Sequence, residues 1–424
     1  MNQNKSDTIV IESDRLKRSG FHWAWVILGL CFLNVFTNYS IRLGYGVVLP
    51  EMIRDLNFGR AAGGSIYNVY LLTYILLTPL AGICTDRFGA RRVITVCGFF
   101  LGTGIVLMGF VQNLWTACLA YAISGVGSTG MWAPVITLAQ RWFAPQRRGL
   151  ALGLMSTGYG FGFAVVGLIF PWIVLHLNWR YTWYILGAMA FFMVVLNGLL
   201  TRSDPQKVGY RPWGEGLRGH NSAQQTNDNS EGMSRRMLLK NVNFWHIGIS
   251  YFAIAYCLYG VTTFMVDYAS NQLGVPLESA SMLASIHGIA QVIGVLVILP
   301  LSDITGRKKM IIISNTVIAV AMFGIIMGGP SWILLCMCVG LFAVFYGATF
   351  PMYGACAGDY FPKEIMGTVI GLWTPFYGLG AISTHWVTGV IRDVTGVYDV
   401  AFLLHAGMAV IAWAFVAMVK AKKE

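Results

Sequence analysis

Charge is scarce in this sequence: only 11% of its 424 residues are charged, against 56% hydrophobic, and mean hydropathy is +0.63. A water-soluble globule carries about 25% charged residues, so a soluble enzyme of this size is excluded and the lipid bilayer is the solvent. Short alternating polar and apolar segments, which a transmembrane β-barrel needs, are also missing. Apolar runs of roughly 20 residues recur instead from Trp23 to the C-terminus, and in lipid only helices close their own backbone hydrogen bonds over such a run. No G-x-x-x-x-G-K-[ST] loop is present, so no ATP site is expected. The expected cofactor set is none. The eight cysteines all lie within or at the ends of apolar runs, where a thiol packs as a small hydrophobe. Neither a disulfide framework nor a metal site is indicated. Residues 1–20 are polar, and the apolar run after them is too long for a signal-peptide core, so the first span is expected to be retained.

Hydropathy, with glycine, proline and charge as punctuation, predicts twelve helices near 23–50, 62–85, 92–112, 114–143, 149–174, 180–201, 244–269, 279–301, 309–329, 331–358, 366–391 and 398–419. The one long polar stretch contains NSAQQTNDNSEG, has too little apolar content to fold alone, and reads as a linker. The expected organisation is an N-terminal segment at 1–22, a six-helix bundle at 23–202, the linker at 203–243, a second bundle at 244–419 and a tail at 420–424. The fold class is therefore an all-α membrane protein of twelve transmembrane helices in two pseudo-symmetric bundles.

A net charge of +11 would point to nucleic acid in a soluble chain, but here the distribution decides. With the N-terminus inside, nearly all lysines and arginines fall in inner segments, and only Arg54, Arg60, Arg180 and Arg392 fall outside, with Arg42 in a span. The positive-inside rule then places both termini and the linker in the cytoplasm, with no nucleic-acid partner.

The two halves repeat. Asp86-Arg-Phe-Gly89-Ala-Arg91-Arg92 between helices 2 and 3 returns as Asp303-Ile-Thr-Gly306-Arg307-Lys308-Lys309 between helices 8 and 9. Pro134 returns as Pro351, and Gly153, Tyr159 and Gly162 return as Gly371, Tyr377 and Gly380. Duplicated bundles around a midplane site are the plan of many secondary transporters. The run Gly82-Ile-Cys-Thr-Asp86-Arg87-Phe-Gly89-Ala-Arg91-Arg92 resembles the signature loop of the major facilitator superfamily. That resemblance implies a conformational latch at Gly82, Asp86, Arg87, Gly89, Arg91, Arg92, Asp303, Gly306 and Arg307, in which the acid pairs with nearby arginines.

Within that superfamily, Phe58-Gly-Arg60-Ala-Ala, Val266-Asp267-Tyr268-Ala269 and Ala284-Ser285-Ile286-His287-Gly288 resemble the monocarboxylate and oxalate/formate porter group. Arg202-Ser-Asp204-Pro205 with Val208-Gly209 is similar to a stretch of bacterial organic-anion carriers. Tyr39-Ser-Ile-Arg42 resembles the Tyr-x-x-Arg of the anion/cation symporter group. Both groups carry carboxylates. The chain departs from them where Gln291 and Val295 replace the acid and arginine of monocarboxylate carriers, and where Thr129 and Tyr121 stand at charged positions of helix 4.

All eighteen acidic residues fall in loops or at span ends, Asp267 among those placed outside, which leaves Arg42 as the only full charge in the membrane interior. A guanidinium there costs roughly 3 kcal/mol or more, so Arg42 either snorkels outward or faces a cavity where a carboxylate meets it. Asn38 and Tyr39 lie one turn before it on the same face. His287 and Gln291, four apart in helix 8, are expected to line the same water-filled cleft. His287 is a candidate substrate ligand or proton carrier, or else a core histidine bonded to a carbonyl. His385 and His405 are further candidates. Tyr74, Tyr159, Tyr256, Tyr259, Tyr346 and Tyr377, with Trp373 beside Pro375, offer apolar walls with polar tips, or packing alone. The run Gly125-Val-Gly127-Ser-Thr-Gly130 reads as close helix packing.

The expected protein is a monomeric secondary transporter of small organic anions in a bacterial inner or plasma membrane, proton-coupled through His287. An anion exchanger or uniporter, a cation or drug exporter, and a transporter-like ligand sensor are the alternatives.

Overall fold

The computed structural model describes residues 22–144, 147–214, 238–328, 331–361 and 366–420. Twelve long helices occupy most of them: α1 (Ala24–Leu56), α2 (Arg60–Phe88), α3 (Ala90–Met108), α4 (Leu114–Trp142), α5 (Arg148–His176), α6 (Trp179–Leu200), α7 (Val242–Asp267), α8 (Leu277–Thr305), α9 (Arg307–Met327), α10 (Trp332–Tyr360), α11 (Met366–Thr395) and α12 (Asp399–Ala417). They match the hydropathy segments in number and order. Among the described residues there is no strand, only an isolated bridge between Phe143 and Trp213. α1 runs past Pro50, where the predicted helix stops. A proline removes one backbone donor, and the helix continues at the cost of that single bond.

The helices pack as two bundles with matching neighbours. α1 lies on α5, α3 on α6, and α4 on both α2 and α3, while α7 lies on α11, α9 on α12, and α10 on both α8 and α9. The bundles meet through α2 with α11, α5 with α8, and α1 with α7. The first two of these contacts exchange under the repeat and the third maps onto itself, which is the pattern a pseudo-two-fold axis imposes.

Local chemistry sets the helix ends. Asn113 caps α4 through its side chain and exchanges a capping box with Thr116, and Asn178 and Asn241 accept from backbone N–H groups at the starts of α6 and α7. Gly89 and Gly306 have φ of +86° and +93°, and their N–H groups close α2 and α8 on Thr85 O and Ser302 O. Only glycine adopts that conformation without a Cβ penalty, which accounts for its recurrence in both loops.

α4 breaks at Thr129–Met131, a 3-10 turn followed by Trp132, because Pro134 at the start of its second half has no N–H to continue the ladder. Before the break, a Cβ on Gly125 would strike Thr73 and Tyr70, one on Gly127 the backbone of Leu101, and one on Gly130 the Cys97 side chain. These glycines let α4 approach α2 and α3. Gly127→Leu is therefore expected to reduce the monodisperse yield in detergent to a small fraction of wild type, since a backbone atom cannot swing aside. A normal size-exclusion profile would show that α3 and α4 slide apart freely.

The linker differs from expectation over its first residues. Residues 203–214 are clipped across the end of the first bundle, with Ala144 N donating to Trp213 O at 3.0 Å and Trp213 N to Trp142 O at 2.8 Å. Trp213 packs edge-on to Trp25 and Phe143, and Tyr210 packs on His22. Average polarity concealed these two aromatic anchors. The polar run NSAQQTNDNSEG lies outside the described residues.

His22 and Tyr210 share one side of the molecule with Asn243 and Lys420, which bond each other. This is called the terminal side below, and the opposite one the far side.

Candidate functional site

Arg42 sits in the far-side half of α1, facing α7 of the other bundle. It is 7% exposed, so it does not snorkel, and among the described residues no carboxylate pairs with it. Its guanidinium donates to the Tyr259 hydroxyl, while its Nε has no hydrogen-bond partner. Three aromatic rings surround the cation, Tyr259 at 5.3 Å, Tyr74 at 5.4 Å and Tyr39 at 5.6 Å. The faces of such rings attract a cation, more strongly where water is excluded. Tyr67 and Tyr70 of α2 also lie within electrostatic reach.

The other expected residues divide. Tyr159 packs on Tyr39 at 5.3 Å and donates to Gly347 O of the opposite bundle at 2.7 Å. Tyr377 meets Tyr259 at 5.6 Å, and Tyr346 meets His287 at 5.2 Å. Asn38 turns away from Arg42: its Oδ1 accepts from Ser128 Oγ at 2.8 Å, and Ser128 Oγ pairs with the Tyr70 hydroxyl at 2.7 Å, inside the first bundle. Tyr256 packs on His405 at 5.5 Å, within the second bundle. Trp373 donates to Phe244 O at 3.0 Å and stacks on Phe244, at the terminal-side end of α7. Neither joins the Arg42 cluster.

His287 is 0% exposed, enclosed by Phe163, Phe342 and Tyr346, with Nε2 3.4 Å from Thr262 Oγ1. Gln291 is 1% exposed. The expected water-filled cleft is thus closed at their level, because α5 and α8 pack through Gly160 and Gly288, each of which leaves no room for a Cβ against the other helix. Of the other histidines, His385 joins the bundles, with Nδ1 2.8 Å from Asn68 Oδ1 and Nε2 3.0 Å from Thr263 Oγ1. His405 bonds Thr384 and Thr388 inside its own bundle.

The far side is sealed by charges that sequence reasoning assigned separately to outer loops. Asp267 is not solvated but 0% exposed. It accepts from Arg60 Nε at 2.9 Å, the Tyr398 hydroxyl at 2.5 Å and Asn271 Nδ2 at 2.7 Å. Asp393 of α11 reaches across to the start of α2, accepting from Arg60 N and Ala61 N at 2.9 Å each, and so caps a helix of the other bundle. Between described residues, every hydrogen bond, ion pair and ring contact joining the bundles lies from this clamp down to the level of Tyr159 with Gly347 and Trp132 with Phe350.

On the terminal side the two latch loops differ. Arg307 bridges Asp303 at 2.8 Å and Asp359 at 2.5 Å, as the resemblance implies. In the first copy, Arg91 donates instead to Ser203 Oγ and Gly198 O, and Asp86 forms no ion pair among the described residues. Position 90, where the second copy has Arg307, is alanine here. Gly82 has open space around its Cα, Arg87 lies over the Phe88 ring, and Arg92 is exposed.

Two matched helical bundles that meet around the buried Arg42 and are sealed on one side describe a polytopic membrane protein. The chain belongs to the Major Facilitator Superfamily, whose sequence profile matches residues 28–284 and 247–424. It is 24% identical to the hexuronate transporter of Bacillus subtilis over 91% of this chain and 92% of that protein. It is also 24% identical to monocarboxylate transporter 4 of Gallus gallus, over 93% of this chain and 82% of that protein. The solved structure of the nucleoside transporter NupG superposes with a TM-score of 0.74 at 18% identity, covering 95% of this chain and all of that one, which shows the shared fold.

Proposed function

We propose that the protein is a secondary transporter of small organic anions, carboxylates above all, working by alternating access with Arg42 as the charge receptor. The observation that carries this reading is Arg42 itself: a buried guanidinium with a free Nε and no acidic partner among the described residues. A carboxylate supplies the missing charge and accepts two parallel N–H bonds. The hexuronate and monocarboxylate relatives, named for acids, support the same class. The basic loops support a cytoplasmic terminal side, and the far-side clamp then corresponds to an inward-facing arrangement. Coupling to protons is part of the proposal, with His287 as the carrier.

The test is counterflow. Proteoliposomes preloaded with one carboxylate are expected to accumulate the labelled acid transiently, which a binding-only sensor does not do. Amine counterflow without acid counterflow would overturn the anion reading in favour of a cation exporter. Retention of pH-gradient-driven accumulation by His287→Gln would remove that residue from coupling.

A further inference from the structure

Arg42 and Tyr259 stand 217 positions apart, the offset that carries Asp86 onto Asp303 and Pro134 onto Pro351. They are equivalent positions of the two repeats, and equivalents that touch lie on the pseudo-two-fold axis. Gly46 and Thr263 share the offset and make the same kind of contact one turn further along, where a Cβ on Gly46 would meet Thr263 O at 2.8 Å. On such an axis each residue faces its own counterpart. Two arginines would repel each other there, whereas here one copy carries the cation and the other presents a hydroxyl that accepts its hydrogen bond.

The position of that hydroxyl on the guanidinium matters. Nε and Nη2 form the side edge of the planar fork, an edge that takes a carboxylate through two parallel N–H bonds. Tyr259 holds Nη2 and Nε is free, so a carboxylate seated on this edge displaces the hydroxyl. Contacts between the bundles flank the pair on both sides. Towards the far side stands the clamp of Arg60 on Asp267, and towards the terminal side stand Tyr159 on Gly347 and Trp132 on Phe350. The bundles thus close on either side of a guanidinium that the protein's own hydroxyl serves, and a bond at the axis near the level where the bundles part is displaced little when they rock.

We propose that Tyr259 is an internal substitute for the transported anion: its hydroxyl serves Arg42 while the carrier reorients without cargo, and the carboxylate of the cargo takes its place on the loaded trip. This rests on the reading of Arg42 as the carboxylate receptor. The protein is then a net transporter and not an obligatory exchanger, because the return step needs no bound anion to cover the buried cation. Tyr259 acts through Arg42, as a positioning residue. Without its hydroxyl, the guanidinium would have to pass through the closed arrangement with a donor unpaired, a costly condition for a charged group out of water.

The test separates net flux from exchange in proteoliposomes of the full-length protein, with labelled L-lactate, oxalate and D-glucuronate as probes and the membrane potential clamped. Loaded vesicles of the wild type are expected to release acid into acid-free medium as well as into medium that contains the same acid. Tyr259→Phe keeps the ring beside the guanidinium and removes the acceptor. Its ratio of net to exchange flux is expected to fall about 10-fold or more, and its carboxylate affinity by isothermal titration to rise about threefold or more, since no hydroxyl is then displaced. Exchange without net release by the wild type overturns the inference, and that arm needs no variant to fold. An unchanged flux ratio in Tyr259→Phe overturns it too, as does a lower affinity, which would make the hydroxyl a ligand of the acid. If the wild type moves none of the three acids in either mode, the anion reading itself falls, an outcome distinct from exchange alone.

Discussion

Arg42→Ala is expected to weaken carboxylate binding by about 100-fold or more while leaving the protein folded. Two charge-assisted hydrogen bonds of about 1.5 kcal/mol each give about 3 kcal/mol, and 1.4 kcal/mol is a factor of ten. The same substitution removes a buried charge that costs roughly 3 kcal/mol to hold in the membrane, against about 1.5 kcal/mol for the lost charge-assisted bond to Tyr259 and about 0.5 kcal/mol for each of the three ring contacts, so the two sides nearly cancel. The ligand-free variant should therefore melt near the wild-type temperature. Lost affinity at an unchanged melting temperature separates the receptor from a mere strut between α1 and α7, whose loss would lower the melting temperature and spare affinity. Arg42→Lys keeps the charge but not the planar fork, and an intermediate loss of about 10-fold is expected. Wild-type affinity in Arg42→Ala, read by titration, would remove Arg42 from the site.

The features legible in the sequence are those governed by a strong single-residue penalty. Twelve spans follow from the cost of unpaired backbone in lipid, Gly89 and Gly306 from a backbone angle closed to other residues, and Arg42 from the cost of a charge at that depth. Facing is another matter. Depth in the helix selects Tyr256 and the neighbouring Pro375 selects Trp373, yet neither says which neighbour a side chain meets, and both turn into their own bundle. Tyr67 and Tyr70 precede Tyr74 by seven and four residues, helical spacing that puts all three on one face and is the signal that would have found them. Asp267 reads as an outer charge because it ends a span. Its partner Arg60 stands more than two hundred positions earlier, and pairing at that range comes only from the way the bundles meet.

That pairing leads to the second large effect. Arg60→Ala is expected to open the far side. The substitution leaves the Asp267 carboxylate fully buried with only Tyr398 and Asn271 as neutral donors. Breaking a buried pair costs 3–5 kcal/mol as a rule, and with Arg60 partly exposed the figure here is roughly 2 kcal/mol. Parting of the bundles brings water to Asp267 and relieves that cost, so the closed arrangement loses ground by a factor of about 30. Spin labels at Arg54→Cys and Val394→Cys, exposed far-side positions on α1 and α11 in a cysteine-free background, should report longer distances in Arg60→Ala than in its parent. The double variant Arg60→Ala with Asp267→Ala removes the stranded charge along with its partner, so it should shift the distances less than Arg60→Ala alone, the non-additivity expected of a coupled pair. Unchanged distances in Arg60→Ala would mean that Asp393 capping α2 and the His385 bridge to Asn68 hold the far side without the ion pair. In that case the charges specify how the bundles dock and leave the conformational equilibrium untouched.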